Sequence, residues 1–321
     1  MMTTNETLAQ YSDWAFRSAF TVLVLAFVLL IVQYASARAK AVQDKELVSA
    51  GGVDASVPGR VAETPSKSLS ERFGGMGRAV LVVGTVLIIA SIVLRGFATE
   101  RFPLGNMYEF VAMACAASLL VGHVLLIKPA YRPMWVFLLV PVLILIFLAG
   151  TVLYADAAPV VPALRSYWLP IHVTIVSVGS GIFMIGGIAS LLFLLRLKFP
   201  PGDEGTSTGG RIAERLPDAQ TLDRLAYRST IIAFPLFGAG VILGAIWAEA
   251  AWGRFWGWDP KETMSFIAWV IYAAYLHARA TSGWRETKAA WINIAGFVAM
   301  LLNLFIINMV VSGLHSYAGL S

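Results

Sequence analysis

Cysteine is nearly absent: among 321 residues there is one, Cys115, inside an apolar run. A single thiol excludes a disulfide framework and leaves no CxxCH motif, so the chain is not itself a c-type cytochrome. Charge is scarce too, at 13% of residues against 58% hydrophobic, and the mean hydropathy is +0.73. That balance excludes an ordinary soluble domain, because one aqueous core could not bury so much apolar side chain. Charged residues are missing from the middle of every apolar run, which speaks against a solute permease with midplane charges. Residues 1–13 hold no Lys or Arg but do hold Glu6 and Asp13. A cleavable signal peptide is therefore not expected, and 1–35 reads as an anchor.

What the chain has instead is long apolar sequence. A helix needs about 20 residues to cross the hydrocarbon core. Runs at 14–34, 79–95, 107–127, 134–154, 171–197, 230–248, 264–280 and 290–312 are suited to it. The expected fold is an all-α polytopic membrane protein with about eight transmembrane helices. Counting loops alternately, one set holds 18 of the 24 Lys and Arg and the other only Arg17, Arg95, Arg101, Arg165, Arg254 and Lys261. Basic residues near span ends stay cytoplasmic, so both termini are expected outside, together with the loop at 249–262. The net charge of +5 is thus a topology signal, not one for nucleic acid. Residues 36–78 read as a cytoplasmic linker, and 198–229 as a cytoplasmic loop carrying a short surface helix at 218–228. Gly240 with Gly244, and Gly186 with Ser190, have the spacing of small residues that let helices approach.

The densest motif lies at 251–262, AWGRFWGWDPKE. Three indoles, Trp252, Trp256 and Trp258, on a stretch too short to build a core need another flat surface to cover. Two of the four histidines, His172 and His315, end apolar runs on the same expected side. Helical spacing would put Asn308, Ser312 and His315 on one stripe. Neutral imidazoles beside stacked indoles point to a large planar metal cofactor such as haem, with His172 and His315 as axial ligands of its iron. His277 lies deeper, in the inner leaflet, with Ala273 and Ala274 leaving room for something bulky; it is a candidate inner iron ligand. His123 has Leu-rich surroundings without aromatic company and reads as structural. Asp259, Pro260 and Glu262 have the pattern of a helix start. Bis-histidine ligation would also suit a membrane dihaem electron carrier linked to quinone.

WGRFWGWDPKET resembles the WWD signature of the haem-handling proteins of cytochrome c biogenesis, matched at Trp252, Gly253, Trp256, Trp258, Asp259 and Glu262. PLGNMYEF at 103–110, LPIHV around His172, YLHAR around His277 and GLHSYAG around His315 are similar to further motifs of the System II type, called CcsA or ResC and in some bacteria CcsB. The resemblance implies a haem-handling membrane domain over 79–321. In a bacterial cytoplasmic membrane, its WWD loop would face the periplasm. It implies haem b as transported substrate, His172 and His315 as external ligands, and His277 as the membrane-embedded one. It implies a ResB-type partner subunit and an apocytochrome c bearing CxxCH. The joint task would be holocytochrome c synthesis by thioether formation. Haem propionates need cationic partners, and Arg254 and Lys261 are available; Asp259 touches the cofactor or caps its helix.

Overall fold

The computed structural model describes residues 4–49, 68–159, 165–307 and 310–315. Nine α-helices account for most of them, and no strand occurs among the described residues. They are α1 (Glu6–Ser49), α2 (Leu69–Thr99), α3 (Met107–Leu125), α4 (Met134–Thr151), α5 (Trp168–Lys198), α6 (Thr208–Ala213), α7 (Ala219–Trp252), α8 (Pro260–Ala280) and α9 (Thr287–Leu302). A wider π-helical turn, Asn303–Ile307, continues α9. Among the described residues, seven helices are long and apolar enough to cross a membrane: α1 over Glu6–Ser36, α2, α3, α4, α5, α7, and α9 with its extension over Thr287–Ile307. The chain is a multi-pass membrane protein. The seventh expected run, 264–280, corresponds to α8, whose first turn, PKET, and whose His277 and Arg279 dilute its apolar content.

Capping residues decide where the helices start. Ser68 caps α2 and is answered by Glu71 in a reciprocal pair. Asn106 caps α3 by accepting from the Glu109 N–H at 3.0 Å, and Asp218 caps α7 by accepting from the Thr221 N–H at 2.7 Å. Each satisfies a backbone donor that would otherwise be orphaned. The Asp218 cap corrects one expectation: 218–228 is not a separate surface helix but the first turns of α7, running without a break into the apolar stretch.

α1 lies along α2, and α5 along α7, as the two most extensive helix pairings. One contiguous core joins α1 to α5, α7 and α9. A buried amide ties three helices together: Asn293 of α9 donates to Ser190 of α5 at 3.0 Å and to Thr230 of α7 at 3.3 Å. At the same end, Arg279 of α8 makes a two-pronged ion pair with Asp223 of α7, at 2.7 and 2.8 Å. The opposite end, where α3, α5 and α8 begin and α2 and α7 finish, holds the site described next.

The described part of the last span runs over Thr287–Ile307, against the expected 290–312. Residues 311–315 form turns and bends, so Ser312 and His315 do not continue a helical stripe. Asn308 lies outside the described residues, as do 50–67 of the expected linker.

Candidate functional site

His172 and His315 line one cavity, together with α3, α7 and the start of α8. It leaves about 160 Å³ for the centres of water-sized molecules, and most of its wall is apolar. α5 presents His172, Val176 and Ser180 on one face, at i, i+4 and i+8. α3 contributes Met107, Phe110 and Ala114.

The His172 ring is seated by α7. Its Nδ1 lies 2.7 Å from the Gly240 carbonyl oxygen. A carbonyl only accepts, so Nδ1 carries the proton and Nε2 keeps the lone pair. One turn later, Gly244 leaves space for the ring: a Cβ there would stand 2.6 Å from His172 Cε1. Trp247 then stacks nearly parallel to the imidazole, at 6.3 Å between centroids and 8° between planes. Gly240, Gly244 and Trp247 thus form a stripe at i, i+4 and i+7 that accepts, admits and covers one histidine. The glycine pair expected merely to bring helices together does that at Gly240, against Val176, and also builds the site.

His315 is oriented in the same chemical sense by a different group. Its Nδ1 lies 2.7 Å from Asp259 Oδ2, while Asp259 Oδ1 accepts from the Leu314 N–H at 2.7 Å. Burial alone would raise the Asp259 carboxyl, but the hydrogen bonds from His315 and Leu314 outweigh it and hold it below the ordinary carboxylate value. Burial likewise keeps His315 below the usual imidazole value, against the pull of Asp259. The carboxylate is therefore ionised and the imidazole neutral near pH 7. Nδ1–H donates to Asp259, again leaving the lone pair on Nε2. Metal-binding histidines are commonly oriented this way, by a carbonyl or carboxylate behind the ring.

Trp247 is the common neighbour, since His315 lies 5.7 Å from it as well. Trp252 packs edge-on against both, at 4.8 Å from Trp247 and 4.9 Å from His315. The three expected indoles do not make one shelf. Trp252 is the last residue of α7 and part of this cluster, Trp256 lines the cavity, and Trp258 is turned out, 68% exposed. Trp258 also has a left-handed backbone, with φ at 58°, which costs a non-glycine residue about 1–2 kcal/mol. Glu262 holds that turn by accepting from the Gly257 and Asp259 N–H groups at 2.9 and 3.1 Å. Asp259 caps α8 with Pro260 behind it, so it both starts a helix and orients a histidine. Among the described residues no three His, Cys, Asp or Glu converge on one point. Two imidazoles alone suit a metal already held in a macrocycle better than a bare ion.

A family comparison matches residues 104–315 to the cytochrome C assembly protein model. The chain belongs to that family. Its relatives include cytochrome c biogenesis proteins CcsA from Synechococcus sp. strain CC9902, Gloeobacter violaceus and Mesostigma viride. The Synechococcus protein is 33% identical over 277 residues, 76% of this chain and 86% of that one. The Gloeobacter protein is 32% identical over 294 residues, 77% and 87%, and the Mesostigma protein 33% over 270 residues, 78% and 87%. The match to the family model starts at Leu104 and stops at His315, and both residues line the cavity.

The remaining candidate residues are spread more widely. His277 stands on the exposed face of α8 in line with Val270 and Ala274, away from the cavity. Arg254 sits over Gly257 in the loop and is not part of the cavity wall. Lys261 is part of it. His123 is structural: Thr85 donates to the Leu81 carbonyl and receives His123 Nε2 at 3.1 Å. It does have aromatic company, Trp135 at 4.9 Å.

Glu109, quoted in the family pattern but given no role from sequence, turns out to be the centre of a buried ionic network. It pairs with Arg95 at 3.1 Å and with Arg101 at 2.8 and 3.0 Å. It also accepts from the Gly105 N–H at 2.6 Å. Arg95 reaches on to Asp13 of α1, at 3.3 Å. Arg95 and Glu109 are each 2% exposed. The network pins the 101–106 turn, which supplies Leu104, Gly105 and Asn106 to the cavity wall.

Proposed function

We propose that this CcsA-type chain takes part in cytochrome c maturation by carrying haem b to the cavity, holding its iron between His172 and His315, and presenting it to an apocytochrome c. The observation that carries this reading is the pair of histidines sharing one cavity, each with Nδ1 engaged behind the ring and Nε2 left as the donor. On the basic-residue bias, α8 also crosses, both termini face outward, and the cavity opens on the external side with the WWD loop.

Haem is cargo here. Its propionates make unaided passage through hydrocarbon costly, and ligands at two depths lower that cost. His277, about 25 Å along α8 from its start, serves as the inner ligand. Its exposure beside Ala274 suits a site completed by a ResB-type membrane partner, which supplies the opposing ligand. At the outer site each thiol of a CxxCH segment adds across a vinyl group. Sulfur bonds to one vinyl carbon, hydrogen to the other, and no oxidant or reductant is consumed. The protein's part is positional, raising the effective concentration of thiol beside vinyl. A quinone-linked dihaem carrier would need a second histidine pair within the spans, and the hydrogen bond of His123 to Thr85 leaves His277 alone there.

The test is the absorption spectrum of the purified chain loaded with haem. A six-coordinate low-spin spectrum is expected, converting to a five-coordinate form in His172→Ala and in His315→Ala. Spectra unchanged in both variants would contradict the assignment.

A further inference from the structure

The cavity wall is apolar along α3, α5 and α7, and its charged residues, Lys261 and Glu262, both come from the first turn of α8. Glu262 is committed to capping through the Gly257 and Asp259 N–H groups. Lys261 holds its ammonium 5.1 Å above the ring of Phe110 on α3. Phe110 is itself a wall residue, so the cation is held at the wall by a cation–π contact instead of snorkelling outward. Arg254, the loop's other cation, lies against Gly257 outside the wall.

A haem seated between His172 and His315 carries two carboxylates into this apolar space, and a carboxylate buried without a partner is strongly disfavoured. Iron ligation cannot tell haem from a porphyrin whose carboxylates are masked, since both offer the same metal. Resting on the haem reading above, we infer that Lys261 is the specificity-determining residue of the cavity: its ammonium pairs with a haem propionate. The pairing also fixes the rotation of the ring about its iron axis. Propionates and vinyls occupy opposite edges of haem b, so a propionate held at Lys261 turns the vinyl edge away from the start of α8.

The experiment is a pair of titrations of the full-length protein in detergent, one with haemin and one with haemin dimethyl ester, for wild type, Lys261→Gln and Lys261→Arg. Absorbance reports both affinity and the bis-histidine spectrum. Wild type is expected to bind haemin on the order of tenfold or more tighter than the ester, the worth of one charge-assisted hydrogen bond. Lys261→Gln should bring haemin down to the affinity of the ester, leave the ester unchanged and keep the low-spin spectrum, and Lys261→Arg should restore the preference. Equal loss of both ligands in Lys261→Gln would overturn the inference, as would haemin binding that stays at the wild-type level. Failure of wild type to bind either ligand with histidine coordination would instead sink the haem reading itself.

Discussion

Replacing Asp259 by Asn tests how one carboxylate controls His315. Asn is a good cap residue, so α8 should start where it does now, although an amide nitrogen in place of Oδ2 gives up the bond that Oδ2 accepts from the Lys261 N–H at 3.2 Å. The amide oxygen can still accept from the Leu314 N–H, which is 2.7 Å from Oδ1. The amide nitrogen then faces His315 Nδ1, 2.7 Å from the present Oδ2. A donor now meets that nitrogen, so the ring shifts its proton to Nε2, the atom that the iron needs. Loss of such an orienting partner costs a bound metal roughly 10- to 100-fold in affinity, about 1.4–2.8 kcal/mol. Haemin titration of the purified variant should show that weakening together with a larger high-spin fraction, while thermal unfolding of the haem-free protein stays within about 1 kcal/mol of wild type, the worth of one capping bond. Asp259→Ala should additionally lose about 1 kcal/mol of helix capping. An Asn variant with wild-type affinity and an unchanged spectrum would show that the carboxylate does not set the tautomer.

Gly244→Ala should separate fold from site: alanine favours a helix by about 1 kcal/mol, yet its Cβ would sit 2.6 Å from His172 Cε1. Unfolding temperature is expected to hold or rise while haemin affinity falls, and undiminished binding would count against the seat on α7. Glu109→Gln leaves Arg95 and Arg101 without their shared charge, and breaking a buried pair costs on the order of 3 kcal/mol. A clear drop in unfolding temperature is expected, and no change would mean that the network is not holding the cavity turn. His277→Ala should leave the spectrum of haem added from outside intact but lower the haem found in protein purified from cells making a ResB-type partner; equal haem content would remove His277 from the path.

Much of the architecture is legible from residue pattern, because hydrophobic length is the only property a spanning helix must have. Seven of the eight expected runs fall in helices apolar enough to cross. The remaining one, 264–280, falls in α8, a helix whose polar first turn belongs to the site. The end of the last run departs from its pattern, since a 3.6-residue period extended to 315 takes no account of the wide turn Asn303–Ile307 or of the bends at 311–315. Asp218 begins a helix continuous with the membrane stretch, so a polar run at a span end need not be a separate surface helix. His172 and His315 could be paired from sequence because each ends an apolar run on the same side. Trp247 could not, because attention falls on the loop indoles five residues later, and Gly244 could not, because a glycine that admits a ring reads the same as one that admits a helix. A stripe of Gly240, Gly244 and Trp247 facing a histidine-bearing helix is the signal that was there to use. Asp259 hid its second role behind a sufficient local explanation, the helix cap. The Arg95–Glu109–Asp13 network hid for another reason: it is assembled from three helices, and charges at span ends look interfacial until packing shows them buried.

A density map of the haem-loaded protein at side-chain resolution bears most directly on iron ligation. It should show the porphyrin in the cavity with His172 Nε2 and His315 Nε2 on opposite axial positions, Gly240 and Asp259 still holding the two Nδ1 atoms. Haem lying elsewhere, or an iron bound by neither ring, would contradict the account.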